Sequence, residues 1–173
     1  MTVTRPLTGE PLPLDLLNTT WMSGGAPFDM LEAPGGLHDW LTEHEFPQDG
    51  SEAEIRAHLI ESREAIRAVV SNAEGAEAGI NAVLAHGVRR LRLHDGRPTI
   101  TYEVDDPARF PAWRAAAVLL DLLDTRPDRI RKCANPNCIL WYLDTTRNGS
   151  RRWHSMETCG NRAKAKRFQD RHA

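Results

Sequence analysis

Cys133, Cys138, His154 and Cys159 are the residues of this 173-residue chain whose types and spacing are best suited to chemistry, and that chemistry is metal ligation. All 3 cysteines fall within 27 positions, inside the stretch most crowded with arginine and lysine. Four residues separate Cys133 from Cys138, and Ala134-Asn135-Pro136-Asn137 is a turn-forming set, because proline presets φ and asparagine tolerates unusual backbone angles. Fifteen residues precede His154 and four more precede Cys159, so a second pair of donors arrives from a separate element. Two converging pairs of sulfur and nitrogen donors make a closed tetrahedral site for one structural Zn2+. Four protein ligands leave no position for an activated water, so a catalytic metal is not expected.

Other readings of these residues are weaker. An odd cysteine count with no secretory signal argues against a disulfide framework. Three unliganded thiols packed as small hydrophobes would need core positions. Cys138 beside a Pro-Asn turn and Cys159 beside Gly160 do not resemble them. His154 is the ligand with least local support, and His172 is its substitute.

The elements that must hold this site follow from pattern. After Pro6, Pro11 and Pro13, a short apolar element begins at Leu14, and Gly24-Gly25-Ala26-Pro27 breaks it. Residues 37–45 read as a short helix. Residues 51–72 read as a longer one, with Ile55, Leu59, Ile60 and Ile66 on one face and Ser51 and Glu54 in a capping-box arrangement. A further helix is expected over 74–85. Residues 88–93 and 99–104 alternate around His94-Asp95-Gly96-Arg97, a strong hairpin signal. A long helix opens at Asp106 or Pro107, and Arg126-Pro127 ends it. In the cysteine-bearing stretch, 140–144 is strand-like, Arg147-Asn148-Gly149 is a turn, and 156–171 is helical with Ser155 as N-cap.

The fold class expected is therefore α+β and mainly helical. A helical domain with one β-hairpin, residues 1–126, precedes a small treble-clef-like zinc module, residues 127–173. The longest purely apolar run, Ala115 to Leu120, is 6 residues and ends at Asp121. A bilayer needs roughly 18 to 20. With no apolar leader at the N-terminus, a cytoplasmic location and no membrane partner are expected.

The net charge of −2 conceals a division. Residues 1–125 carry 10 Lys+Arg against 20 Asp+Glu, whereas residues 126–173 carry 12 against 4, a net +8. A polyanion is attracted to the second part and repelled by much of the first.

At these residues a family comes into view. CANPNCILWYLDTTRNGSRRWHSMETCGNRAKAKRF resembles the C-terminal zinc finger of bacterial proteins named for their Cys-Gly-Asn-Arg motif, here Cys159, Gly160, Asn161 and Arg162. The family usually has cysteine where this chain has His154. Zinc accepts imidazole as readily as thiolate, with one less negative charge and added sensitivity to acid. The run Leu14-Asp15-Leu16-Leu17-Asn18-Thr19 and the helix containing Leu37 to Leu41 resemble the ABATE domain that ordinarily precedes this finger. Together the two resemblances imply a stress-linked bacterial transcription regulator with a DNA partner and no enzymatic activity.

The proposed contacts to nucleic acid are Arg147, Arg151 and Arg152 in the turn region and Arg162, Lys164, Lys166, Arg167 and Arg171 on the last helix. On a helical wheel Lys164, Arg167 and Arg171 fall within about 60° of one another. Asn148, Asn161 and Gln169 are amides able to read base edges. Asp15 and Asn18 are candidate lining for a small-molecule effector pocket in the first domain. The alternative function is an RNA-binding or protein-interaction module whose N-terminal domain senses such a molecule. A finger this small makes few base contacts, so a dimer is expected for specific recognition.

Overall fold

The computed structural model describes residues 4–172. It divides into two compact units, one made of Met1–Met30 with Leu122–Ala173, the other of Leu31–Asp121. About half of the chain is helical, and the strands form small antiparallel pairs, so the class is α+β. Among the described residues no helix is long and apolar enough to cross a membrane.

In the unit Leu31–Asp121, helices α2 (Gly36–Glu43), α3 (Glu52–Val70), α4 (Ala76–Leu84) and α5 (Phe110–Thr125, whose last turn belongs to the other unit) surround a core. Trp40, Leu41, Ile55, Leu59, Ile66, Ile80, Ala116 and Leu119 are buried in it. α3 and α5 are tied by Ser62, whose hydroxyl donates to the Ala112 carbonyl at 2.9 Å. The expected hairpin is present as β3 (Gly87–His94) and β4 (Arg97–Val104), longer than its apolar alternation suggests. Its turn residues Asp95 and Gly96 both have positive φ, 48° and 73°, the condition of a tight hairpin turn that follows the right-handed strand twist. Gly87 is dictated by packing: a Cβ there would lie 2.7 Å from two ring atoms of Trp113. That indole donates to the Leu84 carbonyl at 3.1 Å and fastens the strand start to the end of α4.

The N-terminus of α5 follows the expectation in outline. Asp106 caps a short 3-10 turn, Pro107–Arg109, by accepting from the Ala108 amide at 2.9 Å, and α5 proper starts at Phe110. α3 begins after Ser51 as expected. The Ser51 side chain makes no cap hydrogen bond, so the capping box read from the sequence is not formed.

In the other unit, α1 (Leu12–Leu17) has Leu14, Leu16 and Leu17 fully buried and packs against β6 (Trp141–Leu143). The Gly24-Gly25 stretch is a hairpin turn rather than a plain break: β1 (Thr20–Ser23) pairs with β2 (Ala26–Asp29), with both glycines at positive φ. β6 pairs with β5 (Ile130–Lys132), a strand for which the sequence carried no separate signal. The helical stretch expected over 156–171 is a π-type turn, Met156–Gly160, followed by α6 (Asn161–His172).

Candidate metal centre

β5 and β6 deliver the first ligand pair. Beyond the last rung of their ladder, the Cys133 amide donates to the Leu140 carbonyl at 2.9 Å, so the chain between them is a closed knuckle. Asn135 shapes it twice. Its side-chain oxygen accepts from the Asn137 amide at 3.0 Å and its backbone carbonyl accepts from the Cys138 amide at 2.9 Å. Such an Asx turn is what asparagine supplies in place of a further backbone bond. The Ala134 amide donates to the Arg152 carbonyl at 2.8 Å, which brings the segment carrying His154 alongside. The π-type turn is then capped by Ser155, whose hydroxyl accepts from the Thr158 amide at 3.3 Å, and this turn carries Cys159 inward.

The outcome is one cluster. The ligand atoms of Cys133, Cys138, His154 and Cys159 all lie within 4.8 Å of one another, and all four residues are buried. Zinc at about 2.3 Å from sulfur and about 2.0–2.1 Å from nitrogen places a tetrahedral S···N pair about 3.6 Å apart. Cys138 Sγ and His154 Nδ1 are 3.5 Å apart. The other ring nitrogen, Nε2, is 3.3 Å from the Thr158 hydroxyl. With Nδ1 on the metal, Nε2 carries the proton and donates to Thr158, the outer contact that fixes a ligating ring. Asn135 also donates from Nδ2 to Cys159 Sγ at 3.3 Å, a bond that favours the thiolate.

Charge points the same way. A hydrogen bond from Cys138 pulls the Cys133 thiol down to about 3, while the same contact and burial push Cys138 up, and burial raises Cys159. Three thiolates cannot share this space without a cation, and a divalent ion supplies one. The residues fit one structural zinc.

A second set of residues holds this centre from the N-terminal segment of the same unit. Asn18 is fully buried; its amide donates to the Trp141 carbonyl at 2.8 Å and its oxygen accepts the Trp141 N–H at 2.9 Å. One carboxamide thus occupies the free edge of β6 as a neighbouring strand would. Glu10 continues the edge by accepting from the Leu143 amide at 2.8 Å. Burial raises the Glu10 carboxyl above its ordinary range, only partly offset by that amide and by Arg151. Asp15, also fully buried, takes the Arg5 guanidinium at 2.6 Å. Asp15 and Asn18, read from sequence as pocket candidates, therefore have internal partners in the structure.

The expected nucleic-acid contacts are distributed unevenly. Arg147, Arg152, Arg162 and Lys164 are exposed, with the Arg152 guanidinium 5.2 Å over the Trp153 ring. Arg151 faces its own chain: it donates to the Trp153 carbonyl at 3.0 Å and to the His154 carbonyl, and it stacks 4.3 Å over Tyr142. It acts on the metal segment from within. Asn148, Asn161 and Gln169 are exposed. The side chains of Lys166, Arg167 and Arg171 lie outside the described residues, as does that of His172, and only the backbone of α6 is described there. Sequence reasoning missed Thr158, the Asn135 amide, and the edge-capping role of Glu10 and Asn18. The turn signal of Asn135 was visible; its reach to Cys159 was not.

Comparisons with known proteins agree with the site. A family model described as the CGNR zinc finger matches residues 129–172. A second, ABATE, described as a putative stress-induced transcription regulator, matches residues 10–126. The comparison with curated proteins found no match. Its ABATE region, the greater part of its length, and the zinc finger that follows it mean that this chain belongs to the ABATE family of stress-induced regulators with a CGNR zinc finger.

Proposed function

We propose that the protein is a cytoplasmic transcription regulator that binds duplex DNA through residues 127–173, with zinc holding the binding surface in shape, and that residues 1–126 form the partner domain. One observation carries the reading: the buried four-ligand cluster lies in the part of the chain whose net charge is +8. Arg152 precedes His154 by two residues, and Arg162 and Lys164 follow Cys159 by three and five, so the cluster fixes the backbone from which these exposed cations project. Structural zinc contributes on the order of 10 kcal/mol, far more than so few apolar side chains supply. Arginine and lysine give affinity through phosphates, and amides such as Asn148 and Asn161 give what base selectivity there is. Recognition of a specific site then calls for two copies, because one such unit covers little DNA.

The test is a fluorescence anisotropy series with zinc-loaded protein, duplex DNA and structured RNA across salt concentrations. Duplex binding is expected to weaken with a log–log slope of about −0.9 per neutralised phosphate and to fall on Arg152→Gln, Arg162→Gln and Lys164→Gln. Tighter binding to the RNA, or affinity independent of salt, would overturn the proposal in favour of an RNA or protein partner.

A further inference from the structure

The β5–β6 hairpin has an open end where the chain enters before Ile130 and leaves after Leu143, and these two flanks enclose a groove of about 670 Å³. Thr125 to Arg129 forms one wall, including the 3-10 turn Pro127–Arg129, and Asp144 to Arg147 forms the other. Arg126 and Arg147 are exposed on opposite walls.

The second wall is held rigid to a degree that an ordinary surface loop is not. Asp144, 2% exposed, accepts from the Thr146 amide at 2.9 Å and the Thr146 hydroxyl at 2.6 Å with one carboxylate oxygen. The other oxygen accepts from the Arg151 amide at 3.0 Å. Thr146 Oγ1 in turn accepts from the Ser150 amide at 3.1 Å. Arg129 crosses from the first wall and forks onto two successive carbonyls, Thr146 at 2.6 Å and Arg147 at 3.4 Å. Gly149, at φ +60°, leaves room for that crossing, since a Cβ there would stand 3.1 Å from Arg129 Nη1. Arg129 and Asp144 thereby answer each other, and the groove is left with Arg126 and Arg147 facing solvent against Asp128 alone.

We propose that this groove is a phosphodiester seat, taking a backbone phosphate of bound DNA between Arg126 and Arg147, with the exposed Thr145 hydroxyl as a neutral donor. The inference rests on the DNA-binding reading and adds a contact surface separate from α6. Planar guanidinium forks match phosphate oxygens, and a wall fixed beforehand loses little freedom on binding. The volume admits a nucleotide-sized group, so a free mononucleotide is the competing source of the same chemistry.

Duplex DNA titrations in graded salt test it with four zinc-loaded proteins: wild type, Arg126→Gln/Arg147→Gln, Arg162→Gln/Lys164→Gln, and Arg92→Gln on the exposed part of β3 as a control. Arg126 and Arg147 are exposed, so the groove variant is expected to keep its melting temperature and one zinc per chain. It should lower the salt slope by about 1 for each arginine removed. An unchanged slope for the groove variant with a reduced slope for the α6 variant would overturn the seat and leave DNA binding standing. Absence of any duplex binding by wild type would overturn both. AMP binding in the groove more tightly than duplex DNA would reassign it to a free nucleotide and overturn the backbone assignment.

Discussion

Asn18→Ala should loosen the metal centre although residue 18 lies far from every ligand in sequence. In the wild type one side chain satisfies both backbone groups of Trp141, at 2.8 and 2.9 Å, in a place with no solvent exposure at Asn18. Truncation orphans a buried N–H and a buried C=O. Each costs about 1–3 kcal/mol when nothing replaces its partner, so the variant loses roughly 2–6 kcal/mol, and about 3 kcal/mol is the central expectation. Because metal binding and folding are coupled, that loss is read as zinc affinity weakened about 100-fold, at 1.4 kcal/mol per tenfold. It is also read as a melting temperature lower by about 6–12 °C for a chain of this length. Competition against a chromophoric chelator gives the first quantity and calorimetry the second. Asn81→Ala, on the exposed face of α4, serves as the control and should stay within about 0.5 kcal/mol. If Asn18→Ala held zinc within twofold of wild type and melted within a degree of it, the N-terminal segment would not support the finger and the edge-capping account would be wrong.

Two further outcomes follow from the same contacts. Glu10→Gln keeps the acceptor for the Leu143 amide but removes a carboxylate whose ionisation burial disfavours. Wild-type Glu10 has a raised carboxyl pKa, so the folded state binds its proton first and this group adds stability as pH falls from the raised value toward the ordinary 4.5; above it the charge is a liability. The variant is therefore expected to be at least as stable at pH 7 and to lack that acid-side gain, seen as the wild-type minus variant difference in denaturant midpoints measured across pH with excess zinc. Thr158→Val removes the hydroxyl facing His154 Nε2; because Thr158 is exposed and water can substitute, zinc affinity should fall by no more than about tenfold, measured by chelator competition.

How far the sequence revealed the molecule depended on whether a feature is local. The ligand set was legible because cysteine and histidine declare their chemistry by type and spacing. The β3–β4 turn was legible because Asp95-Gly96 is the pair that tolerates two positive φ values in succession. The same local logic failed at Gly24-Gly25, where strands of four residues carry too little alternation to separate a hairpin from a break. It failed at Ser51, where position predicts a cap that the side chain does not make. β5 was invisible because Ile130-Arg131-Lys132 becomes a strand only by pairing with Trp141–Leu143. Asn18 was misjudged for a deeper reason. A buried amide among leucines can face a ligand or a backbone edge, and the partner that decides between them lies 123 residues away.

The central claim is that one zinc ion, held by three sulfurs and one imidazole nitrogen, orders the basic part of this chain. Zinc-edge X-ray absorption on protein of known metal content measures that directly. One zinc per chain is expected, with three sulfurs at about 2.3 Å and one nitrogen at about 2.0–2.1 Å. Purified protein that is folded without stoichiometric zinc, or a metal shell dominated by oxygen, would contradict it.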